Sequence, residues 1–270
     1  MVIGEILGSD PAGGEGAGTA RHVYRSSRAL SRWLVGALLL GLALNLALSG
    51  IDALVTLRHP SLFDPDAEIT GPGELAVVLG FMLVGLAGGL VLASCAVLFC
   101  VWVHRANRNA HALGARGMEF TPGWAVGWFF VPVANLFKPY QAVREIHQAS
   151  DPDLDRSDEG ATLAWRWSER PAPVQLKLWW GTWLVMNVVE NAGLRLTFRE
   201  DAASRATSSW LGVAGAVAAI PCTLLLIWVI FEIQDRQARR HAGGGVLPPG
   251  PGSVSESRSG DPVRQEPPAW

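Results

Sequence analysis

The stretch from Trp102 to Pro152, which decides the fold, reads WVHRANRNAHALGARGMEFTPGWAVGWFFVPVANLFKPYQAVREIHQASDP. It begins with a basic, polar run, continues with an apolar run that Pro132 interrupts, and ends with a helical pattern from Pro139. Long apolar segments lie on both sides of it. The expected architecture is therefore a membrane bundle built around an irregular insert.

The apolar run of the insert is short for a membrane span. Residues 122–137 would make about 24 Å of helix, less than the roughly 30 Å of a bilayer core. Pro132 removes a backbone donor, and backbone groups freed in hydrocarbon need other partners. We expect Asn107, Asn109 and Asn135 to supply them. We interpret the run as a re-entrant or interfacial piece, and a fifth span is the alternative.

The segment after Pro139 has the pattern of an amphipathic helix lying along the membrane surface. One face carries Tyr140, Val143, Ile146 and His147. The polar side chains expected to face away from it are Gln141, Arg144, Glu145 and Gln148.

Composition supports a membrane location. Hydrophobic residues make up 49% of the 270-residue chain and charged residues only 17%, and the apolar residues are gathered into long runs. We predict an all-α integral membrane protein with four transmembrane helices plus the re-entrant or interfacial helical insert. The four predicted spans are 33–54, 75–103, 176–196 and 210–231.

These spans divide the chain into three parts. Residues 1–32 are expected to form a cytoplasmic, partly disordered tail, and residues 237–270 a disordered cytoplasmic tail. The membrane domain is 33–236, with the inner-face insert at 104–175. All three cysteines fall in apolar segments, so no disulfide is expected: Cys95, Cys100 and Cys222.

The distribution of basic residues predicts the orientation. With four spans, most of the 22 Lys and Arg residues fall on one side of the membrane, whereas five spans would divide them evenly. The positive-inside rule therefore favours four spans with both termini in the cytoplasm. The expected location is the cell (plasma) membrane, as a multi-pass protein.

A family resemblance rests on the same central stretch. Its motifs are Trp102, Arg105-Ala106-Asn107, Ala112-Leu113-Gly114-Ala115-Arg116, Thr121-Pro122-Gly123-Trp124-Ala125-Val126, Phe130-Val131-Pro132-Val133-Ala134-Asn135-Leu136, Lys138-Pro139 and Arg144-Glu145-Ile146. Together with Tyr24-Arg25-Ser26 and Leu178-Trp179-Trp180, this pattern resembles the actinobacterial domain-of-unknown-function family 4328, over roughly residues 24–235. The resemblance implies an integral membrane protein and implies no activity.

A polar group in the third predicted span is the sharpest single signal. Glu190 lies past the middle of that span, with Asn187 on the same face and Asn191 beside it. Acidic groups inside membranes are rare and face the bundle or a wet cavity. Together with Asn45 they form a candidate intramembrane site for a proton or cation. The structural alternative is that Glu190 packs against Asn45 or pairs with arginines near the outer surface.

A second candidate region lies on the inner face. Its residues suit contact with anionic headgroups of the lipid bilayer, with a protein partner or with a second copy of the chain. They are Arg105, Asn107, Arg108, Arg116, Pro132, Asn135, Lys138 and Arg144.

No catalytic motif accompanies these groups. The chain has no phosphate-binding glycine loop, nucleophile elbow or zinc-protease motif, so we expect no catalytic residues, metal or cofactor, and no nucleic acid as a partner. The leading hypothesis is a non-enzymatic scaffold or regulatory membrane component. The alternative is a small-solute or ion transporter that uses the polar face around Glu190.

Overall fold

The computed structural model describes residues 23–58, 71–115, 117–152, 170–199 and 201–243, and these residues are helical with no strand. The helices are α1 (Arg28–Arg58), α2 (Pro72–Ala112), α3 (Pro122–Gly127), α4 (Lys138–Ala149), α5 (Val174–Thr197) and α6 (Ala202–Gly243). Most of both expected tails, most of the acidic linker before α5, and Arg116 lie outside the described residues.

Within the described residues, three segments are long and apolar enough to cross a membrane. They are Arg28–Arg58, Met82–Ala112 and Ala203–Gly243, with a mean hydropathy of 2.2, 2.4 and 2.4 in their most apolar windows. Large apolar side chains on them are exposed, among them Leu83 at 67% and Leu92 at 72%. Such an apolar surface suggests a membrane protein.

The predicted span 176–196 forms α5, which is not among these three. Its 24 residues would make about 36 Å of helix, which is long enough to cross a bilayer. Lys177, Glu190 and Arg195 lower its hydropathy. Together with Asn187 and Asn191, these residues give α5 a lower hydropathy, so polarity rather than length separates α5 from the three apolar helices.

The helices extend further than the apolar runs that predicted them. α2 continues to Ala112, so residues 104–112 belong to this helix and the irregular insert begins after it. α6 continues through Pro221 to Gly243. The polar C-terminal ends of α2 and α6 can project beyond a bilayer, because their backbone groups are hydrogen-bonded within the helix.

The long helices pack around α6. α6 lies against both α5 and α1, and α1 lies against α2. The best-buried apolar residues gather where α2 ends and α4 docks: Leu34, Trp102, Val103, Ile146, Leu176, Trp179, Val229, Ile230 and Ile233. Each such side chain contributes about 1.5–3 kcal/mol on burial, so this end of the bundle holds the insert in place.

The insert is irregular, as predicted. α3 is followed by two short 3-10 turns, Trp128–Phe130 and Ala134–Leu136. Between them Val133 has φ 67° and ψ −52°, and Ala134 N donates to Pro132 O at 2.7 Å. These angles and this bond define a strained γ-turn. Trp180 of α5 donates its indole N–H to Leu136 O at 3.0 Å and so fixes the loop against the bundle.

The environment of α4 differs from the expected surface helix. Its apolar face, including Val143 and Ile146, is buried against the bundle. The prediction that Glu145 and Gln148 face away was wrong, because both are buried. The reason is that protein encloses the second face: Glu145 binds the turn after α2, and Gln148 binds Arg170 O.

Candidate functional site

A buried polar network ties together the end of the bundle that carries the insert. Asn109 of α2 accepts a hydrogen bond from Arg25 N at 3.1 Å and donates to Arg25 O at 2.9 Å and to Gln237 Oε1 at 3.2 Å. Gln237 of α6 donates to Ala106 O at 2.8 Å and to Ser150 Oγ at 3.0 Å. Four segments of the chain therefore meet at two amide side chains.

Two further α2 side chains hold the start of the insert. The buried Asn107 donates to Phe120 O at 2.9 Å, and His104 Nδ1 lies 3.0 Å from Pro122 O. Asn107 bonds a backbone group at Phe120, and Asn109 bonds backbone groups at Arg25. The prediction that they satisfy backbone groups at the Pro132 break was therefore wrong.

Glu145 closes the turn between α2 and α3. Its carboxylate accepts hydrogen bonds from Glu119 N and from Phe120 N. Burial raises the pKa of Glu145 to about 7, although the two backbone N–H groups act in the opposite direction. The turn itself needs Gly114 and Gly117, whose φ angles are 88° and 74°.

Charged side chains surround His147 on the other side of α4. Its Nε2 lies 3.9 Å from Glu232 Oε1, and Arg236 forms a 2.6 Å ion pair with Glu232. Asp151 is paired with Arg170 and lies 3.8 Å from Arg236. Burial, together with the positive charge of Arg236, lowers the pKa of His147 to about 4. His147 is therefore neutral at physiological pH.

The predicted headgroup residues are spread over α2, the insert and α4, not gathered at one point. Lys138 pairs with Glu119 at 2.9 Å and lies over the rings of Phe120 and Trp128. Arg108 and Pro132 are exposed. Half-buried positions are Arg105, Asn135 and Arg144.

Three buried polar residues were not predicted from the sequence, one directly after α4 and two near the end of α6. Gln237, Arg240 and Ser150 are all buried. One signal could have identified two of them: Ile230, Ile233, Gln237 and Arg240 follow the three-to-four-residue spacing of one helix face beyond the last apolar run.

A cavity of about 570 Å³ lies among the long helices. α1 and α2 line it on one side, α5 and α6 line it on the other, and Phe129 and Phe130 of the insert also contribute. Its walls are formed mostly by leucine, glycine, tryptophan, phenylalanine and cysteine residues. Among its lining residues, Asn45 carries an amide group and Glu190 carries a carboxyl group.

The predicted intramembrane site is only partly assembled. Asn45 and Glu190 line the same cavity, but Asn187 and Asn191 do not. The latter two donate to carbonyls of their own helix, Asn187 to Trp183 O and Asn191 to Asn187 O, each at 2.8 Å. Among the described residues, no ion pair or hydrogen bond joins Glu190 to Asn45 or to an arginine.

The comparisons with known proteins identify a family and no activity. The family described as a domain of unknown function (DUF4328) matches residues 74–235, which is more than half of the chain. The match runs from the first turn of α2 to a point near the end of α6. No curated protein and no solved structure matches the sequence. The chain belongs to the DUF4328 family.

Proposed function

We propose that this chain is a non-enzymatic integral membrane protein, a scaffold or regulatory component that acts through its inner-face insert. In this proposal α1, α2, α5 and α6 are the four spans, and both termini lie in the cytoplasm of an actinobacterial cell. The charge distribution supports this arrangement, because arginines are concentrated at the end of the bundle that carries the insert. The lack of a catalytic motif in the sequence supports a non-enzymatic role.

The exposed apolar surface of the insert carries the proposal. Its large apolar side chains are exposed although the Trp180 indole N–H holds the loop at Leu136 O: Trp124 55%, Phe130 73%, Val133 73%, Leu136 56% and Phe137 46%. Lys138 follows directly, and Arg144 lies further along α4. Apolar side chains beside cations are typical of a segment that inserts into the headgroup layer of an anionic membrane. We therefore propose that the loop from Trp128 to Phe137 contacts the inner leaflet.

A fluorescence experiment tests this contact. An environment-sensitive dye is attached to a cysteine at Val133 or, as a control, at Asp235, after Cys95, Cys100 and Cys222 are replaced by alanine. In vesicles with anionic lipid we expect a blue shift at position 133, reduced in neutral lipid, and no shift at position 235. Equal quenching of both positions by iodide would contradict membrane contact. A blue shift in native membranes alone would identify a protein partner.

The number of spans is tested separately with cysteines and a membrane-impermeant thiol reagent. Arg108, Arg199 and Asp235 are exposed. Arg199 lies at one end of the bundle, and Arg108 and Asp235 lie at the other. In intact cells we expect labelling at position 199 only. If α5 did not cross, position 199 would be protected and position 235 labelled.

The cavity supports the second candidate function, a transporter that uses the polar face around Glu190. Asn45 and Glu190 share its wall, as a solute site would require. The remaining lining is mostly apolar, which favours an apolar solute over a hydrated ion.

A further inference from the structure

The cavity has the size and position of a binding site for a small organic molecule. Its volume of about 570 Å³ lies within the range of roughly 300–1,000 Å³ typical of ligand pockets. Along α5 it extends from Trp179 to Glu190, which corresponds to about 16 Å of helix. It is thus long and narrow, with chemically different ends.

One end is aromatic. Trp180 and Trp183 are stacked with their ring centroids 4.5 Å apart, and Phe99 meets Phe129 edge to face at 5.4 Å. All four residues line the cavity or support its lining side chains. Aromatic walls bind apolar bodies and attract cations through their ring faces.

The other end is acidic. Glu190 lies two helical turns above Trp183 on the same face of α5, and its side chain passes over Gly215 of α6. No lysine or arginine is among the lining residues described. An acidic group at this depth is unfavourable without a compensating partner, and a ligand cation would supply one.

The described surface gives the cavity a route of access from the bilayer. Leu92 and Phe130 line it and are 72% and 73% exposed. In the four-span arrangement these side chains face lipid. A molecule dissolved in the membrane could then enter between α2 and the insert without crossing a polar barrier.

We propose that this cavity binds an apolar organic cation, with its body against the tryptophans of α5 and its positive charge beside Glu190. This inference names the ligand class for the second candidate function and does not depend on the inner-face contact. The occupant is a free cation and not an aminophospholipid. The reason is that Glu190 to Thr197 spans about 10 Å of helix, so a headgroup would have to leave the interface to reach it.

Equilibrium binding of radiolabelled tetraphenylphosphonium to the full chain in phosphatidylcholine nanodiscs tests the proposal. We expect saturable binding that unlabelled tetraphenylphosphonium displaces and neutral triphenylphosphine oxide does not. Glu190→Gln should weaken binding by at least about tenfold, because it removes the partner of a desolvated charge. Asn191→Ala, on the same helix and outside the cavity, should bind normally.

Two further variants test the cavity by its size rather than by its charge, and neither changes Glu190. Gly89 lines the cavity, and a β-carbon there would meet no atom within 4 Å, so Gly89→Leu should reduce the space for a ligand and weaken or abolish binding. Gly80, on the same helix, also has open space but does not line the cavity, so Gly80→Leu should bind normally. Size-exclusion chromatography verifies that both variants are folded.

Three results would overturn the proposal. They are no saturable binding to the wild type, equal displacement by the neutral compound, and normal binding by a folded Gly89→Leu variant. Replacing part of the phosphatidylcholine with phosphatidylethanolamine should change the affinity less than about twofold. A large loss would mean that the lipid amine occupies the cavity, which contradicts a free cation. Failure of these measurements would leave the dye experiment on Val133 unaffected.

Discussion

The side-chain amides of Asn109 and Gln237 meet at 3.2 Å, where the N-terminal segment, α2, α4 and α6 converge. Both residues are 2% exposed. Buried amides that are fully hydrogen-bonded specify one arrangement of their neighbours, and the loss of one partner leaves the others unsatisfied. This pair therefore makes the end of the bundle that carries the insert sensitive to single substitutions.

Replacing Gln237 with alanine should lower the free energy of unfolding by about 2–3 kcal/mol, because Asn109, Ala106 O and Ser150 all lose a partner. Unfolding of the purified protein in detergent measures the change. Asp235→Ala on the same helix is the control. Its ion pair with Arg239 is exposed, so it should change stability by less than about 0.5 kcal/mol. Equal effects of the two variants would contradict the importance of the network.

The pH dependence of stability should report Glu145. Burial raises the pKa of Glu145 from 4.5 to about 7, so between these values the folded state binds more protons than the unfolded state. The favourable contribution is complete below about pH 4.5 and is lost as the pH rises through 7. We expect the wild type to lose stability relative to Glu145→Gln over this window. Parallel curves for the two proteins would show that Glu145 does not titrate there.

His147 should change the pH dependence of stability in the opposite direction. Burial lowers its pKa from 6.5 to about 4, so between these values the unfolded state binds the additional proton. Stability is therefore lost as the pH falls from about 6.5 towards 4. The variant His147→Gln should lack this acid-dependent loss when melting temperatures are compared from pH 4 to pH 8. If the melting temperature of the variant fell at acidic pH as much as that of the wild type, this would contradict a buried, neutral histidine.

The γ-turn at Val133 should be strained. A β-branched residue at φ 67° has a backbone conformation that costs about 1–2 kcal/mol and that glycine adopts readily. Val133→Gly should therefore be more stable than Val133→Ala by about 1 kcal/mol, measured by thermal unfolding. Both variants remove the exposed side chain equally, so alanine is the matched control. Equal stability would mean that the loop relaxes without its positive φ.

Close packing of α5 on α6 depends on Gly215. A β-carbon there would lie 3.2 Å from Glu190 Cγ, so Gly215→Leu should destabilise the protein by about 1–3 kcal/mol through overpacking. Gly181→Leu is the control, because a β-carbon at Gly181 meets no atom within 4 Å. Similar melting temperatures for the two variants would show that Glu190 moves aside without cost.

The sequence was sufficient for the parts of the fold that rest on long apolar runs and on proline. The helices around 33–54, 75–103, 176–196 and 210–231 all form, and the break at Pro132 is present. All three cysteines are free. These features follow from local properties of the chain: helix length, the missing backbone donor of proline and the hydropathy of each run.

The polar contacts could not be predicted in the same way. Gln237 and Asn109 are separated by more than a hundred residues, and neither is unusual in its local sequence. Glu145 has the position of an exposed residue on an amphipathic helix, and only the turn after α2 buries it. Asn45 and Glu190 line one cavity, and that cavity depends on how α1 and α5 pack around α6, which no local pattern of the sequence shows.

The stacking of Tyr24 on His241, with ring centroids 4.2 Å apart, brings the two ends of the described chain side by side. Sequences attached before Tyr24 and after His241 would start from neighbouring points on the same end of the bundle. Two halves of a split fluorescent protein fused there would be held together by the fold itself, so their complementation would give a direct readout of whether this end of the bundle is assembled.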